Sequence, residues 1–323
     1  MMSHVVNTGQ MEERVVRHCD SCFYEAMRNA SGKVHSVFPG AINILQNDRI
    51  YTLLAGFLDN GEWPLQYLGI PGSAYTEGER FAAGEFDVGS TVSSEENGIR
   101  IGNSKIVFEI DEVFADEDFR SGQHLHMRKE RLRKALSKFE TLICEYPRSG
   151  AAKYYLNRFC GIDQFSNMMQ KSLEDRIERL VQNLEASNPS QEKALKSAHQ
   201  LIGAGNGLTP SGDDFLCGLI LAMRSLKDPY SKKVESYLVK AVEEALRSSR
   251  TTDISMQMLQ FLVEDRAPRV YHQLIYSFST GGKDMDKVVR TLGRIGHSSG
   301  LDMASGLATG YQIYLERGNN HVQ

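Results

Sequence analysis

At 323 residues the chain is long enough for two domains with substantial cores. Its 41% hydrophobic and 24% charged residues exclude extensive disorder, and 37 Lys and Arg against 41 Asp and Glu leave a net charge of -4, with no basic field for a nucleic acid. The longest apolar helical run, FLCGLILAM at 215–223, is about half of the roughly 20 residues a membrane span needs. The start MMSHVVNTGQMEERVV has no signal-peptide core, so no membrane partner and a cytoplasmic location are expected.

Five cysteines suit a reducing compartment without a disulfide framework. Cys19 and Cys22, in HCDSC, have a zinc-like spacing but no second ligand pair nearby, and read as two ordinary thiols on a helix. From Val34 to about Val113 short runs have strand character: VHSVFPGAINIL, IYTLLAGFL, PLQYLGI, EFDVGSTV, GIRI and KIVFEIDEVF. Turns such as DNGEW, PGSAY and ENG separate them, and Asn97-Gly98 marks a tight one. The expectation is an α+β protein with a small β-rich N-terminal domain, sandwich or barrel, over 1–120.

After ADEDF the period becomes helical. Leu132, Leu136, Phe139, Ile143 and Tyr146 share one face, with RKERLRK as a solvated basic face. A second stripe at Leu173, Ile177, Leu180 and Leu184 ends at Asn188-Pro189-Ser190, and a new helix runs through Leu195 and Ala198. Further helices are expected near 231–247, 253–263, 268–278 and 284–294, so 121–323 reads as an all-helical domain carrying the glycine-rich motifs.

The first of these motifs is GAGNGLTPSGDDFLCG at 203–218. Gly203, Gly205 and Gly207, around Asn206, let the backbone approach a ligand and aim N–H groups at it. A helix then starts at Thr209-Pro210 or Ser211, with Ser211 and Asp214 spaced as a capping box. Capping explains one aspartate of the pair Asp213 and Asp214; it does not explain Gly212 and Gly218, each costing about 1 kcal/mol relative to Ala inside a helix. Gly218 reads as a place where another backbone comes close.

The second motif, GRIGHSSGLDMASGLATG at 293–310, repeats the pattern S-G-x-D-x-x-x-G: Ser299, Gly300, Asp302 and Gly306 align with Ser211, Gly212, Asp214 and Gly218. Two glycine-faced helices packed closely, N-termini side by side on one pocket, would account for it. Free N–H groups at helix starts favour anions, while the aspartates repel them. A ligand with both acceptors and donors resolves the conflict, as does Mg²⁺ between carboxylates and a phosphate; no other cofactor is implied. Because Asp214 matches Asp302 and Asp213 has Leu301 as its counterpart, Asp214 is expected to be structural and Asp213 to contact the ligand.

Between the motifs, RTTDIS at 250–255 supplies Arg250, a capped helix start at Thr251 or Thr252, and Ser255; with Arg294, His297 and Ser298 these complete the candidate ligand-binding set. Asp213, Asp214 and His297 are the candidates for catalysis. No G-x-S-x-G elbow, P-loop or HExxH occurs, and GAGNGL fails the dinucleotide fingerprint because Leu208 stands in the last glycine's place.

At these residues the sequence resembles a bacterial family typified by the AllH subunit of oxamate carbamoyltransferase. GNGLTPSGDDFLCG at 205–218, RTTDIS at 250–255 and GHSSGLDMASGLATG at 296–310 carry the likeness, with weaker similarity in SVFPGAINIL at 36–45 and NGIRI at 97–101. The resemblance implies a role in anaerobic allantoin (purine) catabolism, where oxalurate and phosphate interconvert with oxamate and carbamoyl phosphate and three different subunits act together. Carbamoyl phosphate joins a phosphate to an NH₂ group and oxamate a carboxylate to an amide, so both suit a site with donors and acceptors. The alternative is a non-catalytic subunit that binds such a small ligand and leaves the chemistry to partner subunits.

Overall fold

The computed structural model describes residues 13–56, 69–77, 80–114, 127–146, 149–162 and 166–317. Two compact units divide the chain, Met1–Asp116 and Glu117–Gln323.

In the first unit, β1 (Glu13–Asp20) and a short helix α1 (Ser21–Met27) precede β2 (Ser31–Phe38), β3 (Ala41–Gln46) and β4 (Arg49–Ala55). The remaining strands are β5 (Ser73–Thr76), β6 (Thr91–Glu95), β7 (Gly98–Ile101) and β8 (Ser104–Phe114). They close in one ring in the order β1-β5-β4-β3-β2-β6-β7-β8, with β1 parallel to β8, β4 parallel to β5, and the other pairs antiparallel.

This corrects the expected fold class, which left a sandwich open. There are not two stacked sheets but one closed barrel, followed by helices. Inward–outward alternation looks the same in both architectures; closure depends on β1 meeting β8 some ninety residues away, from Glu13 on Lys105 to Asp20 on Phe114. The strand β1 itself begins before the region read as strands, because Val15 and Val16 sit among charged residues that mask the pattern. Cys19 accordingly lies in β1, not on a helix, while Cys22 is in α1.

Two turn expectations fare differently. Glu95 pairs with Gly98, so Glu96-Asn97 is a two-residue hairpin loop, and a Cβ on Gly98 would lie 2.0 Å from the Ile106 carbonyl oxygen. PGSAY, in contrast, becomes β5 after its first two residues, and EFDVGSTV becomes a strand only from Thr91. DNGEW and most of PLQYLGI lie outside the described residues. Phe23 and Met27 of α1 join Val16, Ile42, Ile44, Leu53, Ile99 and Ile106 in the barrel core, the Phe23 ring standing edge-on to Tyr51.

The second unit runs α2 (Lys129–Ile143), α3 (Gly150–Cys160), α4 (Met168–Glu185), α5 (Gln191–Leu201) and α6 (Ser211–Leu226). It continues with α7 (Pro229–Leu246), α8 (Asp253–Val263), α9 (Arg269–Ser279), α10 (Met285–Leu292) and α11 (Ser299–Arg317). The stripes of α2 and α4 are buried, Tyr146 less completely than the rest. The helix α3 has no clear apolar period and shows none because most of its faces are covered.

At the centre, α6 is buried on all faces from Ser211 to Ser225, as expected of a helix that other helices surround. It packs on α11 backbone to backbone. A Cβ on Gly218 would stand 1.8 Å from the Met303 carbonyl oxygen, and one on Gly306 would stand 2.0 Å from that of Phe215. Farther along, Gly310 faces Ala222. Contacts advance together along both helices, so they run parallel, and Phe215 and Met303 hold corresponding positions in the repeated motif.

Candidate functional site

Parallel packing brings the N-termini of α6 and α11 side by side. Their positive dipole ends would repel across a dry interface, and each helix presents an aspartate there. Asp214 and Asp302 are both fully buried. The Ser299 hydroxyl stands near Asp214 and the Ser211 hydroxyl near Asp302, so each motif's serine lies beside the other motif's aspartate. The capping box expected within α6 therefore does not form: Ser211 turns to the other helix, and the residue at the cap is Pro210, which has no side-chain cap bond.

Asp302 also serves a third helix start. Its Oδ1 accepts from the Ala151 and Ala152 N–H groups of α3 at 2.6 and 3.2 Å. Gly150, at φ +57°, precedes them where a Cβ would lie 2.4 Å from that same oxygen. Asp302 Oδ2 receives no hydrogen bond, and neither oxygen of Asp214 receives one. Burial raises both carboxyls; for Asp302, hydrogen bonds limit the rise to about 6. Asp214 goes well above the usual carboxylate range, pushed first by burial and then by the Asp302 charge, and only tempered by the nearby Ser299 and Thr209 hydroxyls.

The neighbouring Asp213 points elsewhere. It too is fully buried, but its Oδ1 accepts from Gly203 N at 2.8 Å and its Oδ2 from Thr251 Oγ1 at 2.5 Å and Ser255 Oγ at 2.6 Å. Burial raises its carboxyl and these three donors oppose the rise. Asp213 thus ties the glycine loop to the start of α8, where Thr252 caps the helix by accepting from Ser255 N at 3.1 Å. Thr252 Oγ1 also donates to the Leu208 carbonyl. Asp213, the expected ligand contact, thus has both carboxylate oxygens taken by protein donors, while Asp214 is equally buried and has none.

In the loop itself Gly203, Gly205 and Gly207 all take positive φ, of 76°, 120° and 95°. Gly203 passes so close to the chain at Arg250 that a Cβ would lie 2.6 Å from the Arg250 carbonyl oxygen, whereas Gly207 has open space around it. Gly205, Asn206, Gly207 and Leu208 are exposed and Thr209 is half-buried. Gly212 is pressed against the carbonyl oxygens of Leu201 and Ala204, and Gly300 in the second motif against that of Leu292.

Beside Gly203 lies an open cleft of about 570 Å³ lined by Arg176, Lys196, His199, Gln200, Ile202 and Arg250. Of the expected site residues only Arg250 lines it. Arg294 and His297 are exposed in the turn before α11, with Ser298 half-buried after them. Arg176, Lys196 and His199 were not singled out from the sequence. KALKSAHQ reads as an ordinary solvated helix face, and Arg176 comes from α4, whose approach to α5 no local pattern announces.

Among the described residues no group of three or more His, Cys, Asp or Glu side chains is placed to hold a metal ion. The Mg²⁺ expectation fits the aspartates poorly, since Asp214 and Asp302 are sealed between helix N-termini whose dipoles disfavour a cation. Among those residues no helix is long and apolar enough to cross a membrane. No solved structure matches the chain. Residues 201–311, from the end of α5 into α11, match the family described as oxamate carbamoyltransferase subunit AllH, and residues 14–117 match the AllH family N-terminal domain. Barrel and glycine-motif helices together thus place this chain in the AllH family, the family named for a subunit of oxamate carbamoyltransferase.

Proposed function

We propose that the chain is a subunit of an oxamate carbamoyltransferase-like enzyme of anaerobic allantoin or purine catabolism, working in the cytoplasm with partner subunits. The reaction moves a carbamoyl group between carbamoyl phosphate and oxamate, giving oxalurate and phosphate. The observation that carries this reading is the glycine loop at 203–208: its outer half is exposed while Asp213 anchors its base through Gly203, Thr251 and Ser255. Such a loop offers preorganised N–H groups to an oxyanion at little reorganisation cost. Gly205, Asn206, Gly207 and Thr252 make up the ligand-facing part of the site, while the buried aspartates shape it from behind.

A second reading has a specific observation in its favour. Asp213, Asp214 and Asp302 are all sealed from solvent, so none of them can exchange a proton with a bound solute as the chain stands. A subunit that binds the small ligand and leaves proton transfer to a partner's residues fits that burial. Reconstitution separates the two: oxamate-dependent phosphate release from carbamoyl phosphate is measured with the chain alone, with the partners alone and with all together. Turnover by the chain alone removes the ligand-binding reading, and turnover that needs both the chain and the partners supports a subunit role of either kind. Release by the partners at full rate without this chain would remove both. Gly207→Val, which strains a positive-φ position in open space, should lower turnover of the complete enzyme without unfolding the chain.

A further inference from the structure

The cleft beside the glycine loop has a charge the proposed site does not use. Arg176 from α4, Lys196 near the end of α5 and Arg250 ahead of α8 all line it, and among the described residues none of the three pairs with a carboxylate. Arg176 is fixed by donating to the Gln200 carbonyl oxygen at 2.6 Å. Cations at a helix C-terminus answer its macrodipole, but that end carries only about half a unit of negative charge. Three cations exceed what α5 requires.

Arg250 is also aimed. Its NH1 lies 3.2 Å from His199 Nδ1, and His199 Nε2 lies 2.8 Å from Glu244 Oε2. A guanidinium has no acceptor, so Nδ1 must be the accepting atom and Nε2 must carry the proton donated to Glu244. The chain Glu244–His199–Arg250 thus fixes a side chain that would otherwise roam in solvent, over a concave surface with room for a small solute. Gly203 presses against the Arg250 backbone, which ties this cleft residue to the glycine loop.

We infer that this cleft is a binding site for the dianionic phosphoryl group of a small phosphorylated molecule, held by Arg176, Lys196 and Arg250, with His199 and Glu244 as positioning residues for Arg250. A monocarboxylate would leave two of the three cations uncompensated, whereas a phosphoryl dianion accepts bidentate guanidinium bonds and a lysine together. The inference rests on the carbamoyl-transfer reading only for which phosphorylated molecule binds there.

The test is titration calorimetry of the full chain with inorganic phosphate, carbamoyl phosphate and oxamate, in low and moderate salt. Wild type should bind the two phosphorylated ligands and oxamate far more weakly. Arg250→Gln and the double variant Arg176→Gln with Lys196→Gln should each weaken phosphate binding about ten-fold or more, the usual scale for a lost charge-assisted bond. His199→Leu should weaken it less than Arg250→Gln, and the exposed Lys287→Gln on α10 should leave it unchanged. No phosphate binding by wild type, or binding that survives both sets of arginine and lysine variants, overturns the subsite. Phosphate binding that depends on these residues, in a chain whose reconstituted mixture shows no oxamate-dependent turnover, sustains the subsite and removes the carbamoyl-transfer reading instead.

Discussion

The barrel and the helical unit each bury aspartates completely, and they treat them differently. In the barrel, Asp20 Oδ1 accepts from Cys22 N at 3.0 Å and Gly72 N at 2.8 Å, so one side chain caps α1 and fixes the turn before β5. In the helical unit Asp213 is satisfied in the same manner, but Asp214 has no hydrogen bond and Asp302 has one bare oxygen. A buried carboxylate with its donors in place is architecture. A buried pair without enough donors is tolerated only because three helix starts supply positive potential around it, and it leaves the junction of α6 and α11 sensitive to protonation in a way the barrel is not.

The comparison can be broken most severely at the glycines. Gly218→Leu must push a side chain through the Met303 main chain, and the helical unit should lose more than about 4 kcal/mol, enough to unfold it, by chemical denaturation followed by circular dichroism. Next in size are the satisfied aspartates. Asp213→Ala strands three donors and should cost about 3 kcal/mol, and Asp20→Ala, with two backbone donors released, about 2 kcal/mol. If Asp213→Ala instead leaves the melting temperature untouched, the loop is not anchored as described.

The bare pair should behave in the opposite sense. The folded carboxyls of Asp214 and Asp302 are raised above the unfolded value of about 3.9. Between those values the folded state holds protons the unfolded state has released. This contribution to stability is therefore complete below about pH 4 and declines as pH rises toward 6, where Asp302 titrates, and beyond as Asp214 does. Asp214→Asn removes the second charge and offers Asp302 a donor, so it should flatten that decline and raise stability at pH 8 by about 1 to 2 kcal/mol. A loss of stability in Asp214→Asn at pH 8 would contradict the account. Smallest of all, Gly40→Ala in the barrel, with nothing near its missing Cβ, should change stability by no more than about 0.5 kcal/mol.

Much of this was legible in the residues themselves. The helical stripes of α2 and α4, a hairpin turn in Glu96-Asn97-Gly98 and the pairing of the two S-G-x-D-x-x-x-G helices follow from local periodicity, from turn residues and from glycines that have no other reason to sit inside helices. Periodicity also marked β2, β3, β7 and β8 as strands. It failed for β1, whose valines are diluted by charge, and for α3, which is covered on too many sides to show a polar face.

What the sequence by itself determined is therefore the local chemistry: where the backbone bends, which faces are apolar, and that two glycine-faced helices begin with aspartates. Only the tertiary structure decided what those aspartates and the basic residues do. Asp213 and Asp214 are neighbours in sequence, yet a turn of about 100° along the helix sends one to three donors on the glycine loop and α8, and the other to a second carboxylate on α11. The cleft is assembled from α4, α5 and the approach to α8, residues 176 to 250, and the barrel closes through strands still farther apart in the chain. Long-range pairing is a property of the packed chain, and no window of sequence contains it.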